Sequence, residues 1–250
     1  MILIQNTLQS FKRVTLADLD QVKLMDRTDS KFCLHRSQLP DILDALKNDY
    51  SILEIKGESI FPYDTTYFDT ADDRMYINHH NGKRNRFKIR VRQYVVSNDN
   101  FLEIKFKNNK GRTLKERIKR QDFNPEFKNN EFGFLENSSP YSGSELQPKI
   151  LSFFNRITLV DNAFTVRVTI DTLPGFKNEE KEIIINDLVI IEIKQNKNNK
   201  SALINQVLRS KKVRRQGFSK YCIGRSLLED NIKKNKFKPL LIRLKKEYLN

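Results

Sequence analysis

The sequence has few cysteines and no arrangement of them that would hold a metal ion. Cys33 and Cys222 are its two cysteines, and neither belongs to a CxxC motif or to a Cys/His cluster with zinc spacing. The pattern therefore gives no support for a structural zinc site. With so few cysteines, we expect a reduced, cytoplasmic protein.

Long apolar runs and linker-like stretches are also missing. No run approaches the ~20 apolar residues that a membrane helix needs. The first residues, MILIQNTLQSFKR, are too polar for a secretory signal. We therefore expect a chain that does not itself span a membrane, which leaves room for a membrane-protein partner. Because no stretch is rich enough in Pro, Gly or Ser to separate two domains, we expect one domain over residues 1–250.

The chain lacks a recognisable nucleophile and base pair. His35, His79 and His80 form no triad signature, and the adjacent His79 and His80 would point in opposite directions in an extended segment. A turn or surface role fits them better than catalysis. In the YFDT segment, we expect Tyr67 and Phe68 to be core residues, whereas Asp69 could orient a cation or cap a turn.

Positive charge is abundant instead. The formal net charge is +15 and the isoelectric point is about 9.7, which indicates a polyanionic partner. Nucleic acid, an anionic membrane surface and phosphate all satisfy this condition, and charge alone does not choose among them.

Hydrophobic periodicity predicts mostly short strands with a few helices, an α+β pattern built on a large antiparallel sheet. In the helix predicted over 37–48, Leu39, Ile42, Leu43 and Leu46 share one face. The segment KILSFFNRITLV fits a helix that runs toward a strand. Further helices are predicted over 15–24, 200–210 and 219–230, and strands in RTDSKFCLH, YDTTYFDT, RFKIRVRQYVV, NFLEIKFK, RTLKERIKR, FTVRVTIDT and EIIINDLVIIEIK.

The basic residues alternate with apolar ones along these strands. Side chains of a strand point to alternate faces, so five cations between residues 84 and 92 share one face, with no acid among them. A solvated face is the plain interpretation, although such a face normally mixes signs because neighbouring like charges repel. If the sheet instead closes into a barrel, helices would cover its apolar outside and the cations would line its interior.

An ordered series of motifs carries a family resemblance. The motifs are LMDRTDSKF (24–32), YDTTYFDT (63–70), HHNGKRNRFKIRVRQY (79–94), FLEIKFKNNKGRTLKER (101–117), RVTIDT (167–172), IIEIK (190–194) and GFSKY (217–221). Over residues 11–229 the chain resembles the VTC (polyphosphate polymerase) domain of the triphosphate tunnel metalloenzyme superfamily, in its bacterial stand-alone form. Residues 230–250 would then be a basic tail.

The resemblance implies a closed antiparallel β-barrel, open at both ends, with helices packed around it. It implies Glu192 as the ligand of a Mn²⁺ or Mg²⁺ ion. The superfamily's ExExK motif is replaced by Arg27-Thr28-Asp29-Ser30-Lys31, which is the polymerase-type pattern. The implied catalytic residues are Arg90, Arg92, Lys105, Arg167 and Glu192, and the implied phosphate-binding residues are Lys31, Arg90, Arg92, Lys105, Lys115, Arg156, Arg167, Lys194, Ser219 and Lys220.

The function expected from the resemblance is transfer of the γ-phosphate of ATP to a growing polyphosphate chain. A metal-dependent triphosphatase or short-chain polyphosphatase, and a non-catalytic polyphosphate or nucleotide sensor, remain as alternatives. A nucleic-acid binder ranks last, because the chain has no recognisable nucleic-acid motif and its cations follow strand spacing.

Overall fold

The computed structural model describes residues 2–20, 27–196 and 202–249. Its strands are β1 (Lys12–Val14), β2 (Arg27–His35), β3 (Tyr50–Leu53), β4 (Phe61–Thr70), β5 (Arg86–Tyr94), β6 (Asp99–Lys107), β7 (Thr113–Arg120), β8 (Leu146–Asp161), β9 (Val166–Lys177), β10 (Glu182–Ile184) and β11 (Leu188–Asn196). Its α-helices are α1 (Ile2–Gln9), α2 (Leu16–Asp20), α3 (Leu39–Leu46), α4 (Arg74–His80), α5 (Asn129–Ser138), α6 (Leu203–Ser210), α7 (Lys220–Leu228) and α8 (Lys238–Tyr248). The predicted α+β class is confirmed.

One antiparallel path of strands forms the body of the sheet, in the order β2-β11-β9-β8-β4-β5-β6-β7. Strand β10 adds to β9, and β3 pairs with β8 and, in parallel, with β1. The sheet is strongly curled, because Lys31 of β2 and Lys105 of β6 line the same cavity although they lie near opposite ends of the path.

Closure of the barrel by hydrogen bonds is the part of the fold prediction that the structure does not bear out. Among the described residues, β2 and β7 form no ladder with each other. The outer edge of β2 is occupied instead by a later segment: Phe32 forms a bridge with Arg215, and the Gln216 N–H donates to the Lys31 carbonyl at 2.8 Å. A covered edge cannot accept a further strand at that point.

The convex face of the sheet carries the apolar half of the alternating pattern. Ile89, Val91 and Leu102 are fully buried there, beneath Leu135 of α5. Helices α1, α3 and α6 cover the β2-β11-β9-β8 side. The four apolar residues predicted to share a face of α3 are all fully buried. The helices therefore lie outside the sheet on these two sides, as predicted.

Helices α7 and α8 lie on the concave face instead. Cys33 and Ile190 pair with each other and lie two residues from Lys31 and Glu192 in their strands, so they share the same side of the sheet. They pack with Tyr221 of α7 and Leu244 of α8. One part of the concave face is therefore an apolar surface on which two helices pack. The remaining part holds the charged residues.

One local prediction was wrong. Residues 149–160, predicted to begin as a helix, belong to the long strand β8, whose residues pair with β4 on one side and with β9 on the other. Helix α4 was not predicted; part of its support comes from Tyr221, far along the chain, whose hydroxyl donates to Asp69. The Asp69 carboxylate accepts the backbone N–H groups of Met75 and Tyr76 at 2.9 and 2.8 Å. Asp69 is therefore a capping residue.

The predicted helix over 15–24 is confirmed for Leu16–Asp20 and capped by Asp18, which accepts the Thr15 N–H at 2.8 Å. Residues 21–24, and with them the first part of the motif 24–32, lie outside the described residues. No helix in the described ranges is both long and apolar enough to cross a bilayer.

Candidate phosphate-binding cavity

Strands β5, β6 and β7 place a first cationic cluster around Glu103. Arg90 lies opposite Glu103 in the β5–β6 ladder, and its Nε and Nη2 atoms each lie 2.7 Å from Oε2. Lys115 of β7 contacts Oε1. Burial alone would raise the pKa of Glu103, but Arg90, Arg92 and Lys115 outweigh it and hold that pKa well below its usual range. The carboxylate therefore stays ionised and fixes its cations in place.

A second cluster surrounds Asp171 of β9. The guanidinium of Arg156 binds both carboxylate oxygens, at 2.6 and 2.9 Å, and Lys220 at the start of α7 contacts Oδ2. Asp171 is 3% exposed. Burial would raise its pKa, yet Arg156 and Lys220 hold it well below the usual range. Aromatic rings support both cations, since the Lys220 Nζ lies 3.9 Å from the centre of the Phe154 ring.

A third cluster surrounds Glu192 of β11. Its carboxylate contacts the ammonium groups of Lys31 and Lys194, and the Lys194 Nζ also lies 3.4 Å from Asp29 Oδ2. Burial and the ammonium groups of Lys220 and Lys194 lower the pKa of Lys31, whereas the Asp171 carboxylate opposes that shift. The Glu192 side chain is 18% exposed, so it remains open to a ligand.

A cavity of about 590 Å³ joins residues from β2, β5, β6 and β11. Lys31, Lys88, Lys105 and Glu192 line it together with Ser219, which accepts a hydrogen bond from the Lys88 Nζ at 2.9 Å. Its rim adds further cations: Arg86, Lys107, Arg215 and Lys236. The cavity is therefore walled mainly by positive charge, with Asp29 and Glu192 as its acids.

Lys105, unlike Lys31 and Lys88, has no hydrogen bond or ion pair within the described part of the chain. Burial, followed by repulsion from Arg90, Lys88 and Lys194, lowers its pKa to about 7. Arg90 in turn acts on Arg156, and Lys220 acts on Lys31. Cations from five strands and one helix thus lie close enough to repel one another, which favours an anion as the missing partner.

The predicted site residues mostly converge. The structure brings together Lys31, Arg90, Arg92, Lys105, Lys115, Arg156, Glu192, Lys194, Ser219 and Lys220. Arg167 lies directly opposite Lys194 in the β9–β11 ladder, and its Nη2 donates to the Leu19 carbonyl of α2 at 2.7 Å.

Sequence reasoning missed three residues that matter here. Lys88 belongs to the alternating basic face of β5 and could have been chosen on that signal. Glu103 occupies the same place in its EIK segment as Glu192 does in the other. Asp171 carried no local signal, because its role depends on Arg156 and Lys220, which lie 15 and 49 residues away.

Tyr67 is buried as predicted, but its hydroxyl also accepts a hydrogen bond from Arg90 at 3.3 Å. His79 lies at the end of α4 and lines the cavity. Burial and the cations Lys88, Arg86 and Lys107 lower its pKa to about 2, so the ring stays neutral near pH 7. His80 accepts the Lys236 N–H at 3.2 Å, which is a structural role.

The fold is similar to solved structures of low sequence identity. A candidate adenylate cyclase from Bacillus halodurans has a TM-score of 0.51 at 12% identity, with 78% of this chain and 96% of that chain covered. A candidate adenylyl cyclase from Hippeastrum, described as having a dominant triphosphatase activity, has a TM-score of 0.49 at 16% identity, with 81% and 96% covered. The first likeness supports the fold.

Comparison with curated protein sequences yields no match. A family comparison, by contrast, matches the VTC domain over residues 26–229, which is most of the chain and includes every convergent site residue described above. The resemblance seen in the motifs is thereby confirmed, and the chain belongs to the VTC domain family.

Proposed function

We propose that this protein is a polyphosphate polymerase, which transfers the γ-phosphate of ATP to the end of a polyphosphate chain held in the cationic cavity. One observation carries the proposal: cations from β2, β5 and β6 line one cavity, close enough to Arg156 of β8 and Lys220 of α7 for their charges to repel one another. A linear polyanion relieves that repulsion along its whole length. Membership of the VTC domain family supports the same substrate class.

The acids of the site orient its cations before any substrate arrives. Asp171 engages Nε and Nη2 of Arg156, which leaves Nη1 available to a phosphate oxygen. Lys105, which has no protein partner among the described residues, and Lys88 can each neutralise one oxygen. Because phosphoryl transfer depends mainly on positioning and charge neutralisation, such preorganised donors are the main catalytic requirement.

The described acid–base groups favour a phosphate nucleophile over water. A general base works best when its pKa lies near the operating pH. Glu103 and Asp171 have strongly lowered pKa values, and His79 has a pKa of about 2, so each is a poor base near pH 7. The terminal phosphate of a polyphosphate chain is already anionic and needs no base.

A divalent ion fits this site only together with its substrate. The described residues contain no group of three or more His, Cys, Asp or Glu side chains that could hold a metal alone. Glu192 offers the hard carboxylate oxygens that Mg²⁺ or Mn²⁺ prefers, and such ions often take their remaining ligands from phosphates and water. When bound, the ion would neutralise charge on the phosphates. Lys31 and Lys194, which now contact Glu192, would then be released to phosphate oxygens.

Hydrolysis is the second candidate, and the position of Asp29 favours it. Asp29 and Glu192 both line the cavity, and both contact Lys194. Two neighbouring carboxylates could together orient a water molecule. A triphosphatase would release inorganic phosphate and leave no polymer.

The purified protein should be incubated with ATP, a short polyphosphate primer and either Mg²⁺ or Mn²⁺. We expect polymer on a gel and ADP equal to the phosphate incorporated. The variant Lys105→Met should lose most of this turnover. The matched variant Lys119→Met, at a lysine that is 69% exposed and paired with Asp99, should keep it.

Release of free phosphate without polymer would contradict the polymerase proposal and indicate a hydrolase. Binding of ATP and polyphosphate without any turnover would indicate the sensor. In both cases the cavity would remain the binding site, provided that Lys105→Met weakens binding.

A further inference from the structure

A second cavity, of about 380 Å³, lies beside the end of β2. We call it the outer groove, and it is lined by Cys33, Leu34, His35, Gln38, Lys211, Lys212, Val213, Arg214, Arg243, Glu247 and Tyr248. The chain reads RSKKVRR from 209 to 215, so this groove collects the densest run of cations in that part of the sequence.

Two of these cations have no counter-charge among the residues that the structure describes. Lys211 is paired with Asp41, and Arg243 is paired with Glu247 at 2.8 Å. Lys212 and Arg214 are exposed and make no side-chain hydrogen bond or ion pair with any residue in the described ranges. The groove therefore has positive charge to offer to an external anion.

The outer groove shares its walls with the phosphate-binding cavity. Arg214 lines the outer groove, and the next residue, Arg215, lines the cavity. The backbone between them is fixed on β2 by the Phe32–Arg215 bridge and by the hydrogen bond from Gln216 to Lys31. Helix α8 also contributes to both walls, since Leu240 lines the cavity and Arg243 lines the outer groove.

We propose that the outer groove binds the part of a polyphosphate chain that extends beyond the cavity. This inference rests on the proposed function. A linear polyanion can pass from the cavity along Arg215 to Arg214 and Lys212 without leaving a positively charged path. A concave groove suits a flexible chain better than it suits the flat surface of an anionic membrane.

The test uses the double variant Lys212→Gln/Arg214→Gln, which removes two charges and keeps a polar side chain with the first two methylene groups at each position. Binding of tripolyphosphate and of a polyphosphate several tens of phosphates long is measured by calorimetry at several salt concentrations. We expect unchanged affinity for tripolyphosphate. Affinity for the long chain should fall about five- to tenfold, and the slope of log affinity against log salt should decrease by about one to two.

The chain offers a matched control in Lys12→Gln/Lys56→Gln. Lys56 has a φ of 53° and Lys212 a φ of 58°, so both lysines occupy the same backbone region, and Lys12 is exposed like Arg214. This control should bind both ligands like the wild type. Equal loss of long-chain binding in both double variants would overturn the inference, because any surface cation would then serve.

The remaining outcomes separate the two proposals. If the wild type binds tripolyphosphate and the groove variant keeps full affinity for the long chain, the groove inference fails and the proposed function stands. If the wild type binds neither ligand, the proposed function itself fails. If the variant instead loses binding only to vesicles rich in anionic lipid, the groove recognises a membrane surface, and the inference is overturned.

Discussion

Replacing Asp171 by Asn tests whether the acids of the cavity hold its cations together. The substitution keeps the shape of the side chain but removes the charge that Arg156 and Lys220 share. Both cations are largely buried, with 17% and 12% of their side chains exposed. They would remain close to each other with no counter-charge.

The expected cost follows from this geometry. Removing one partner of a buried ion pair costs roughly 3–5 kcal/mol, and the Asn oxygen still accepts one hydrogen bond. We therefore expect the free energy of unfolding to fall by about 3 kcal/mol. In a chain of this size, 1 kcal/mol corresponds to about 2–4 °C in Tm, so Tm should fall by about 6–12 °C in the absence of phosphate.

Phosphate should reverse this loss. Without the Asp171 charge the cavity is more positive, and we expect tripolyphosphate to bind about tenfold more tightly, which is about 1.4 kcal/mol. Ligand binding to the folded state raises its stability by that added affinity. Thermal denaturation with increasing tripolyphosphate should therefore raise the Tm of the variant more steeply than that of the wild type.

The pH dependence has a definite sign. The folded-state pKa of Asp171 is lower than its unfolded value of about 3.9. Its contribution to stability is thus fully present above about pH 4 and is lost as the pH falls toward the folded-state pKa. The Asn variant should lose less stability than the wild type over this acidic range.

Asp44→Asn is the control, because Asp44 forms an exposed ion pair with Lys47 and should cost at most about 1 kcal/mol. The reasoning is refuted if Asp171→Asn is as stable as the wild type without phosphate, or if tripolyphosphate stabilises it no more than it stabilises the wild type.

Three further predictions concern the proposed metal ligand, a lysine with no ion pair among the described residues, and a helix contact. Glu192→Gln should lower metal-dependent turnover about 100-fold or more, whereas calorimetry should show that tripolyphosphate still binds without metal. Equal losses of turnover and of metal-free binding would show that Glu192 does not act as the metal ligand. Lys105, with a pKa of about 7, should take up a proton when phosphate binds at pH 8, because the bound anion favours the charged ammonium form. Calorimetry in buffers of different ionisation enthalpy should detect this proton uptake, and Lys105→Met should abolish it. Undiminished proton uptake in the variant would contradict the prediction. Gly224→Ala would place a Cβ 2.4 Å from Phe176, so the free energy of unfolding should fall by about 1–3 kcal/mol. Tripolyphosphate binding should also weaken, because Lys220 would move with α7. A variant with wild-type stability and affinity would show that α7 does not pack tightly against the sheet.

Much of the sheet could be predicted from the alternation of residue types, because that pattern is local. The β5 strand is an example: Ile89 and Val91 are buried on the convex side, and Arg90 and Arg92 lie on the other. The same alternation, read together with the ordered motifs, located most of the candidate site. Helix α3 was predictable for a similar reason, since its four buried residues recur at helical spacing.

The parts that could not be predicted depend on contacts between distant residues. Helix α4 exists because Asp69 caps it across several residues and also binds the Tyr221 hydroxyl of α7. The missing closure depends on Arg215, which occupies the edge of β2. Likewise, Arg167 has the spacing of a site residue, but its guanidinium is bound by the Leu19 carbonyl, a contact that no local pattern reveals.

The central claim is that cations from separate strands enclose one volume that holds a chain of phosphates. A crystal structure of the protein grown with tripolyphosphate tests this most directly. We predict phosphate density in the cavity, in contact with Lys88, Lys105 and at least one of Arg156 and Lys220. Tripolyphosphate bound only on the outer surface, with these four side chains still paired among protein groups or water, would contradict the account.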